Sequence, residues 1–317
     1  MVVGVPEKSG NGPATLTTAA KKGQAGGDRG PVRTAAATVR TADGVAGAAQ
    51  LACVLEVSAE KPGNITPTHD FGDTTFDDML RSAIAVGPPL GRAAERGVGE
   101  TVLAAVEATR AVAPSNTNLG IALLLAPLAR AAQAGGELRA QVRAILRALD
   151  VADARAAYAA IRVAGAGGLE EPVEHDVRTE PDVDLREAMI SAASRDSIAS
   201  EYASDFALTF ETGLPALAAA LGDGLEVRQA IVELHLRLLD AAPDTLIARK
   251  RGAEAARRVS MGAGEVLAAG GVRTETGREA LQRFDASLRR SGNSLNPGTT
   301  ADLVAAVAFV ALLEGML

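Results

Sequence analysis

Apolar residues return at intervals of three and four positions through most of this chain. Between residues 76 and 84 they occupy positions i, i+3, i+4, i+7 and i+8, directly after a capping-box variant, Thr75-x-x-Asp78. These intervals place apolar side chains on one face of an α-helix and mark its first turn. Runs of alternating apolar and polar residues, which are typical of strands, are missing. The pattern therefore predicts an all-α fold.

Breaks in the pattern divide the chain into helical segments. Pro62-Gly63 ends a helix that starts near Val45, and Pro114 ends one that starts near Gly99. A very apolar helix follows 115–118, and further helices are predicted at about 137–164, 184–222, 225–241, 244–260, 276–290 and 299–316. Because no repeat or linker separates them, residues 44–317 are predicted to form a single multi-helix domain.

The first 43 residues differ from the rest in composition and in charge. They are rich in Gly, Ala, Thr and Lys, and they carry six basic and three acidic residues. Without apolar periodicity, they are predicted to be a disordered low-complexity tail. The remainder carries 26 basic and 36 acidic residues. Such an acidic body is a poor candidate for binding nucleic acid, and an anionic ligand would need a divalent cation or a local basic cluster.

Composition is typical of a soluble helical protein. The 317 residues are 47% hydrophobic and 22% charged, and only 3% are aromatic. The two most apolar runs, 119–129 and 303–313, are too short to cross a bilayer, and the first ten residues lack the apolar part of a signal peptide. The single cysteine, Cys53, favours a reducing compartment. We therefore expect a cytoplasmic protein without a membrane partner.

The segment 60–78 holds more polar chemistry than a turn between two helices requires. His69, Asp70 and Asp73 all precede the helix cap, so no helix end accounts for them. Carboxylates this close on a loop can share one Mg²⁺, which prefers carboxylate and phosphate oxygens. From spacing alone, metal binding or acid–base chemistry and plain solvation are equally supported.

Three further carboxylates are candidates for chemistry. Glu107 could form only an i,i+3 surface pair with Arg110, which is the simpler explanation. Asp205 lies beside an apolar stripe, is expected to be partly buried, and would then need a cation or hydrogen-bond donors. Asp302 could be merely a first-turn acid of the last helix.

Several groups could receive an anion. Ser115 or Asn116 is an ordinary N-cap of the apolar helix that follows, but free backbone N–H groups with the carboxamides of Asn116 and Asn118 could also bind a phosphate or a base. Arg249 and Lys250 belong to the densest basic run of the body. The alternative explanation of such a run is a solvated face. The segment 297–300 opens the last helix and could cradle phosphate.

His235 lies on an apolar helical face between Ile231 and Leu238. The better interpretation is a core histidine with its hydrogen bonds satisfied, rather than a catalytic group or a ligand.

Five motifs follow one another along the chain. They are Lys61-Pro62-Gly63, His69-Asp70, Asn116-Thr117, the segment from Asp244 to Arg249, and Pro297-Gly298-Thr299-Thr300-Ala301-Asp302-Leu303. No single motif is specific, but their joint order resembles the triphosphoribosyl-dephospho-CoA synthase family. The resemblance covers the chain from about Val45 to Leu317 and excludes the tail.

The resemblance implies an all-helical enzyme with a defined reaction. Such an enzyme transfers a 5-triphosphoribosyl group from ATP to the 2′-hydroxyl of 3′-dephospho-CoA and releases adenine, which yields the precursor of a prosthetic group. The implied partners are ATP and dephospho-CoA or a related nucleotide acceptor, with Mg²⁺ as cofactor. Cleaving an N-glycosidic bond develops oxocarbenium character that carboxylates stabilise, so the acids of this chain suit the chemistry.

The resemblance also implies roles for individual residues, which we treat as hypotheses. The catalytic residues are Asp70, Glu107, Asp205 and Asp302, and the ligands of Mg²⁺ are Asp70 and Asp73. Residues that bind the nucleotide or its phosphates are Lys61, His69, Asn116, Asn118, Arg249, Lys250, Gly298 and Thr299.

One motif departs from the family pattern. Characterised members carry Thr-Gly-Gly-Val-Asn-Thr-His where this chain has Pro-Ser-Asn-Thr-Asn-Leu-Gly at 114–120, so Asn118 replaces the histidine. Two alternatives therefore stay open: a ribosyl- or phosphoribosyl-type transferase in tetrahydromethanopterin-linked one-carbon metabolism, and a non-catalytic nucleotide-binding protein. The oligomeric state is also open, with a homodimer as one option.

Overall fold

Fourteen α-helices make up the regular structure in a computed structural model that describes residues 39–165, 177–290 and 292–317. An isolated antiparallel bridge joins Thr66 and His69, and these ranges contain no β-strand. The all-α prediction is therefore confirmed. Most of the predicted tail, residues 1–38, lies outside the described residues. The first helix begins at Ala42 after its N-cap Thr41, two residues before the predicted start of the domain at 44.

The helices have the following bounds in chain order. They are α1 Ala42–Ser58, α2 Phe76–Gly91, α3 Val98–Arg110, α4 Leu119–Ala134, α5 Leu138–Arg147, α6 Val151–Ala164, α7 Leu185–Ala192, α8 Ser197–Ala203, α9 Leu214–Gly222, α10 Val227–Ala241, α11 Thr245–Arg251, α12 Ala253–Ala268, α13 Glu275–Arg289 and α14 Gly298–Leu313. Short 3₁₀ helices occur at Ala93–Glu95 and Gly292–Leu295, and a π-helical turn occurs at Leu208–Gly213.

Three segments predicted as continuous helices are broken in the structure. The segment 137–164 divides at Asp150, whose Oδ1 accepts the Asp153 N–H at 2.9 Å and starts α6. The segment 244–260 divides at Gly252, which has a φ of 87°. The segment 184–222 divides into α7, α8, the π-helical turn and α9. The apolar spacing continues through each break, which is why periodicity alone did not reveal them.

The turn between α8 and α9 has an unusual backbone. Asp205 and Phe206 have φ values of 54° and 60°, a region that non-glycine residues adopt rarely. The buried Glu201 carboxylate accepts the N–H groups of Leu208 and Thr209 at 2.9 and 3.0 Å and so stabilises the π-helical turn. Burial raises the pKa of Glu201, while its hydrogen bonds with Thr209 and Leu208 act in the opposite direction.

Helix α14 lies at the centre of the fold. From Leu303 to Leu313 its residues are buried on all sides, and it packs against α1, α4 and α10. A helix that is apolar all round is stable only when neighbouring helices cover it. The polar segment 115–118 precedes α4, and the motif at 297–303 begins α14. Because α4 and α14 pack against each other, their packing determines where a polar site forms.

Within the described part of the chain, no single helix is both long enough and apolar enough to cross a membrane. Helices α4 and α5 pass that test only as a pair, and the pair is bent by 115°. Most of α4 is buried in the core.

Candidate active site

The N-terminal ends of four helices, α4, α8, α11 and α14, meet at one place. The Ser197 N–H at the start of α8 donates to the Thr245 hydroxyl of α11 at 3.3 Å. That hydroxyl donates in turn to the Thr299 hydroxyl of α14, also at 3.3 Å. Helix N-termini carry partial positive charge, so this convergence favours an anion.

Asp244 joins two of these ends. Its Oδ1 accepts the Ile247 N–H at 3.0 Å and caps α11, and its Oδ2 accepts both the N–H and the hydroxyl of Thr300 at 2.7 and 2.8 Å. The side chain is only 1% exposed. Burial raises the pKa of Asp244, and the hydrogen bonds that its carboxylate accepts lower it. The motifs at 244–249 and 297–303 are therefore held together by one buried carboxyl group.

Asp302 points at the start of α4. A Cβ atom added to Gly120 would lie 2.0 Å from Asp302 Oδ2 and 2.9 Å from Ile198 Cδ1. Glycine at position 120 therefore leaves the space that the Asp302 carboxyl group and the Ile198 side chain occupy. The half-buried Asp302 carboxyl group makes no hydrogen bond or ion pair with the described residues.

Other acids surround Asp302. Its pKa lies well above the ordinary range because burial disfavours the charged form, and the negative charges of Glu56, Asp244 and Asp196 add to this effect. Arg249 acts in the opposite direction. Arg249 Nη1 itself pairs with Asp196 Oδ2 at 2.5 Å. Such surroundings favour the protonated form of a carboxyl group.

Lys61 is fully buried in a pair with Glu56. Lys61 Nζ lies 2.9 Å from Glu56 Oε1 and also donates to the Glu56 backbone carbonyl. Its predicted role as a phosphate contact stays a prediction, because in this arrangement the ammonium group is already engaged by a carboxylate. The negative charge of Glu56 helps to raise the pKa of Asp302, so the pair is close enough to affect that carboxyl group.

His235 is buried as predicted, but its hydrogen bonds are not satisfied. Neither ring nitrogen has a partner among the described residues. Burial lowers the pKa of His235 well below its usual range, and the nearby positive charge of Lys61 adds to this effect. The uncharged imidazole is therefore favoured. The expectation of a core histidine with satisfied hydrogen bonds is corrected, because both ring nitrogens lack a partner among the described residues.

The Lys61-Pro62-Gly63 turn contacts the motif at 297–303. Gly63 has a φ of 74°, and its N–H donates to Asp285 Oδ1 of α13 at 2.8 Å. A Cβ atom added to Gly63 would lie 2.9 Å from Leu288 Cδ1 and 3.1 Å from Pro297 Cδ. Two motifs more than 200 residues apart in the chain are thus neighbours in the fold.

The loop that carries the predicted metal ligands is exposed. Asp70 Oδ1 accepts the Phe76 N–H at 2.7 Å, and Asp73 Oδ1 accepts the Thr74 hydroxyl at 3.4 Å. His69 Nδ1 lies 2.9 Å from the Thr68 hydroxyl. Across the described ranges no three His, Cys, Asp or Glu side chains cluster as metal ligands would. Binding of Mg²⁺ by Asp70 and Asp73 stays a prediction.

The segment 115–118 lies against α2 and the residues before it. Ser115 Oγ is 2.7 Å from Thr74 Oγ1, and Thr117 Oγ1 is 2.6 Å from Ser82 Oγ. The predicted metal loop and the start of α4 are therefore joined by hydroxyl contacts.

Two asparagines of this segment have different environments. Asn116 Oδ1 accepts the Leu119 N–H at 3.2 Å, as a helix cap would. Asn118 is the N-cap residue, yet its side chain does not cap the helix. It is 2% exposed, and its Nδ2 has no partner within the described residues. An unpaired buried donor is costly, so Asn118 is the better candidate for contacting a ligand.

Three predicted residues lie apart from this centre or face solvent. Glu107 is exposed on α3, and Lys250 is exposed at the end of α11. Asp205 forms ion pairs with Arg143 at 3.4 Å and Arg186 at 3.9 Å. Neither Glu107 nor Asp205 is hydrogen-bonded or ion-paired to Asp302 in the part of the chain that the structure describes. Their catalytic roles stay predictions.

Glu56 is one residue of this centre that we did not predict from the sequence. It is 4% exposed and, apart from the first-turn Asp43, it is the sole charged residue of α1. A lone carboxylate on the buried face of an apolar helix, five residues before Lys61, was the available signal.

The fold and the site define an all-α protein with an acidic centre at converging helix N-termini. Residues 42–317 match the CitG family, described as ATP:dephospho-CoA triphosphoribosyl transferase. The chain belongs to this family, which confirms the resemblance.

Individual relatives carry the same name over part of their length. A 2-(5″-triphosphoribosyl)-3′-dephosphocoenzyme-A synthase of Klebsiella pneumoniae is 34% identical over 102 residues, which cover 32% of this chain and 36% of that protein. A probable synthase of Stutzerimonas stutzeri is 34% identical over 108 residues, 33% of this chain and 36% of the relative. These matches thus span about a third of the curated relatives.

A solved structure matches a larger part of the chain. It is the crystal structure of a protein from Archaeoglobus fulgidus assigned as a triphosphoribosyl-dephospho-CoA synthase. The two proteins are 32% identical with a TM-score of 0.59, and the match covers 74% of this chain and 99% of the other.

Proposed function

We propose that this chain transfers the 5-triphosphoribosyl group of ATP to the 2′-hydroxyl of 3′-dephospho-CoA and releases adenine. Membership of the family supports the type of reaction. The proposed position of the active site rests on one observation about Asp302. Its carboxyl group lies where the first turns of α4 and α14 meet, and it has no hydrogen-bond or ion-pair partner among the described residues.

The reaction needs a group that moves one proton. The bond between ribose C1′ and adenine N9 breaks, and C1′ bonds to the 2′-oxygen of the acceptor. The acceptor hydroxyl loses its proton, and the departing adenine gains one. A carboxyl group with a raised pKa can supply a proton to the leaving base and recover one from the hydroxyl. We assign this role to Asp302.

The triphosphate stays on the transferred ribose, so the protein must hold it throughout the reaction. The N-termini of α4 and α14 present partial positive charge, and Thr299 adds a hydroxyl group beside them. The amide of Asn118 is a buried donor without a partner among the described residues at the same place. These groups support a phosphate-binding role for the motifs at 115–118 and 297–303.

Mg²⁺ would neutralise the charge of the triphosphate and orient it. Asp70 and Asp73 are the residues that would hold it, and their chemistry fits. Both are exposed, and each has a single carboxylate oxygen engaged locally, which leaves hard oxygen donors free.

The test is incubation of the full chain with Mg²⁺, ATP and dephospho-CoA, with chromatography for free adenine. We expect adenine to appear only when the acceptor is present. Release that requires another acceptor would contradict the proposed substrate and favour the divergent transferase. ATP binding without release under any acceptor would favour the non-catalytic alternative.

The same proposal locates the enzyme in the cytoplasm, where ATP and dephospho-CoA occur and where Cys53 stays reduced. Burial raises the pKa of the Cys53 thiol, so this cysteine is an unreactive core residue rather than a nucleophile. Assembly as a homodimer stays a prediction.

A further inference from the structure

A groove lies between α12 and α13. Its volume is about 650 Å³. Its lining includes the apolar side chains of Val259, Val266, Leu288 and Leu295, together with the ring of Phe284. This volume is in the range of cavities that bind small molecules.

Two arginines stand on the walls of the groove. Arg258 is paired with Glu254 at 3.0 Å and Arg283 with Glu279 at 3.7 Å, and both arginine side chains are more exposed than buried, at 64% and 69%. Glu265 is the acid that lines the groove itself. Such exposed pairs contribute little stability, so either arginine can exchange its carboxylate for a phosphate.

One end of the groove reaches the family motifs. Leu288 contacts the Lys61-Pro62-Gly63 turn, and Leu295 precedes Pro297 by two residues. From Gly298 to Asp302 the helix rises by only about 6 Å. The end of the groove and Asp302 are therefore both next to the motif that begins α14.

The proposed acceptor has the matching chemistry. Its reacting ribose is attached to a diphosphate, and the diphosphate to a long uncharged pantetheine arm. The arm suits the apolar side chains of the lining and the diphosphate suits arginines on the walls.

We propose that this groove between α12 and α13 binds the pantetheine arm and diphosphate of the acceptor, an inference that rests on the proposed function. Arg258 and Arg283 contact the diphosphate, and the apolar side chains of the lining receive the arm. The groove is thus the subsite that selects a coenzyme A-type acceptor over a plain nucleotide.

The test is equilibrium binding of dephospho-CoA by calorimetry. Ser287 lines the groove, is exposed, and donates its hydroxyl only within its own helix, to the Phe284 carbonyl. Ser287→Trp should obstruct the groove without disturbing the core, and Arg258→Glu should repel the diphosphate. We expect each to raise the dissociation constant for dephospho-CoA about tenfold, the size of one charge-assisted hydrogen bond for the arginine.

Arg257→Glu is the matched control. Arg257 precedes Arg258 and pairs with the same Glu254, but it does not line the groove. We expect this variant to bind dephospho-CoA within about twofold of the wild type, and all three variants to keep their affinity for Mg²⁺ and ATP. The probe 4′-phosphopantetheine, which lacks the nucleoside, should lose affinity with Ser287→Trp.

Distinct outcomes separate this inference from the proposed function. Unchanged binding of dephospho-CoA in Ser287→Trp and Arg258→Glu would overturn the proposal that the groove binds the acceptor. An equal loss of binding in Arg257→Glu would overturn it too. A change of oligomeric state in Ser287→Trp with unchanged binding would also overturn it and show a contact between copies. If the groove variants weaken binding of dephospho-CoA but the wild type releases no adenine, the acceptor subsite is supported and the proposed function is refuted.

Discussion

At the scale of single residues, Asp302 combines features that are rarely found together. It is a half-buried carboxyl group with a raised pKa, acids on several sides, and no hydrogen bond or ion pair to any described residue. Structural carboxyl groups in this protein, such as Asp244 and Glu201, instead accept three hydrogen bonds each. That contrast is why we place the chemistry at Asp302.

Replacing Asp302 with Asn tests this assignment. We expect adenine release to fall by about 100-fold or more, because the amide cannot transfer a proton. Glu107→Gln and Asp205→Asn provide comparisons on carboxylates elsewhere. Full activity in Asp302→Asn, or an equal loss in Glu107→Gln, would contradict the assignment.

The same variant should become more stable at neutral pH. Asp302 binds its proton more tightly in the folded than in the unfolded chain, where its pKa is near 3.8. Its presence therefore costs stability increasingly as the pH rises above 3.8 and until the raised native pKa is passed. Asp302→Asn removes this cost, about 1.4 kcal/mol for each unit of pKa shift. Urea unfolding at pH 5 and pH 8 should show a gain that is larger at pH 8; a constant or inverted difference would refute it.

The buried Lys61–Glu56 pair makes a separate prediction. Lys61→Met should lower the free energy of unfolding by about 3–5 kcal/mol, because it leaves the Glu56 carboxylate charged and unpaired in the core. The double variant Glu56→Leu with Lys61→Met should recover most of that loss. The exposed pair Arg92–Glu95 is the control, and Arg92→Met should cost less than about 1 kcal/mol. A small effect of Lys61→Met would show that the pair opens readily, as the phosphate-contact role requires.

At the scale of elements, the site depends on the close approach of α4 to α14. Gly120→Ala would place a methyl group against Asp302 Oδ2, and we expect it to reduce adenine release strongly. Gly47 on α1 is the matched control, since a Cβ atom there meets nothing within 4 Å. Gly47→Ala should leave activity unchanged and stabilise the helix by up to about 1 kcal/mol. Equal activity in both variants would mean that the approach is not required.

The helices themselves were predictable where local signals and packing agree. The start of α2 at Phe76 follows from its capping box, which the structure contains. The breaks at Asp150 and Gly252 were missed, because strong helix formers on both sides conceal one capping residue or one glycine. The π-helical turn after α8 depends on Glu201, whose acceptors meet Leu208 and Thr209 only after folding.

At the scale of the whole molecule, nucleotide binding should raise the free energy of unfolding and the melting temperature. Mg²⁺ with ATP at about 100 times its dissociation constant adds about 2.7 kcal/mol, which corresponds to roughly 4–5 °C in melting temperature for a chain of this length. Chelating the metal with EDTA should abolish most of that shift. Asp70→Asn with Asp73→Asn should weaken the dependence on metal, because an Asn at 70 keeps the acceptor for the Phe76 N–H but loses the charge. Asp77→Asn in the same segment is the control, and an equal effect there would exclude a specific role for the pair.

The sequence by itself determined the helical class, the family and most of the motifs. Helix-forming residues at intervals of three and four act locally, and the order of short motifs survives in the chain without reference to folding. Only the tertiary structure decided which polar residues share a site. It brought Gly120, Asp244 and Asp302 together, engaged Lys61 with Glu56, and left Glu107 exposed. These outcomes depend on how α14 packs against α1, α4 and α10, a set of long-range contacts that spacing along the chain does not encode.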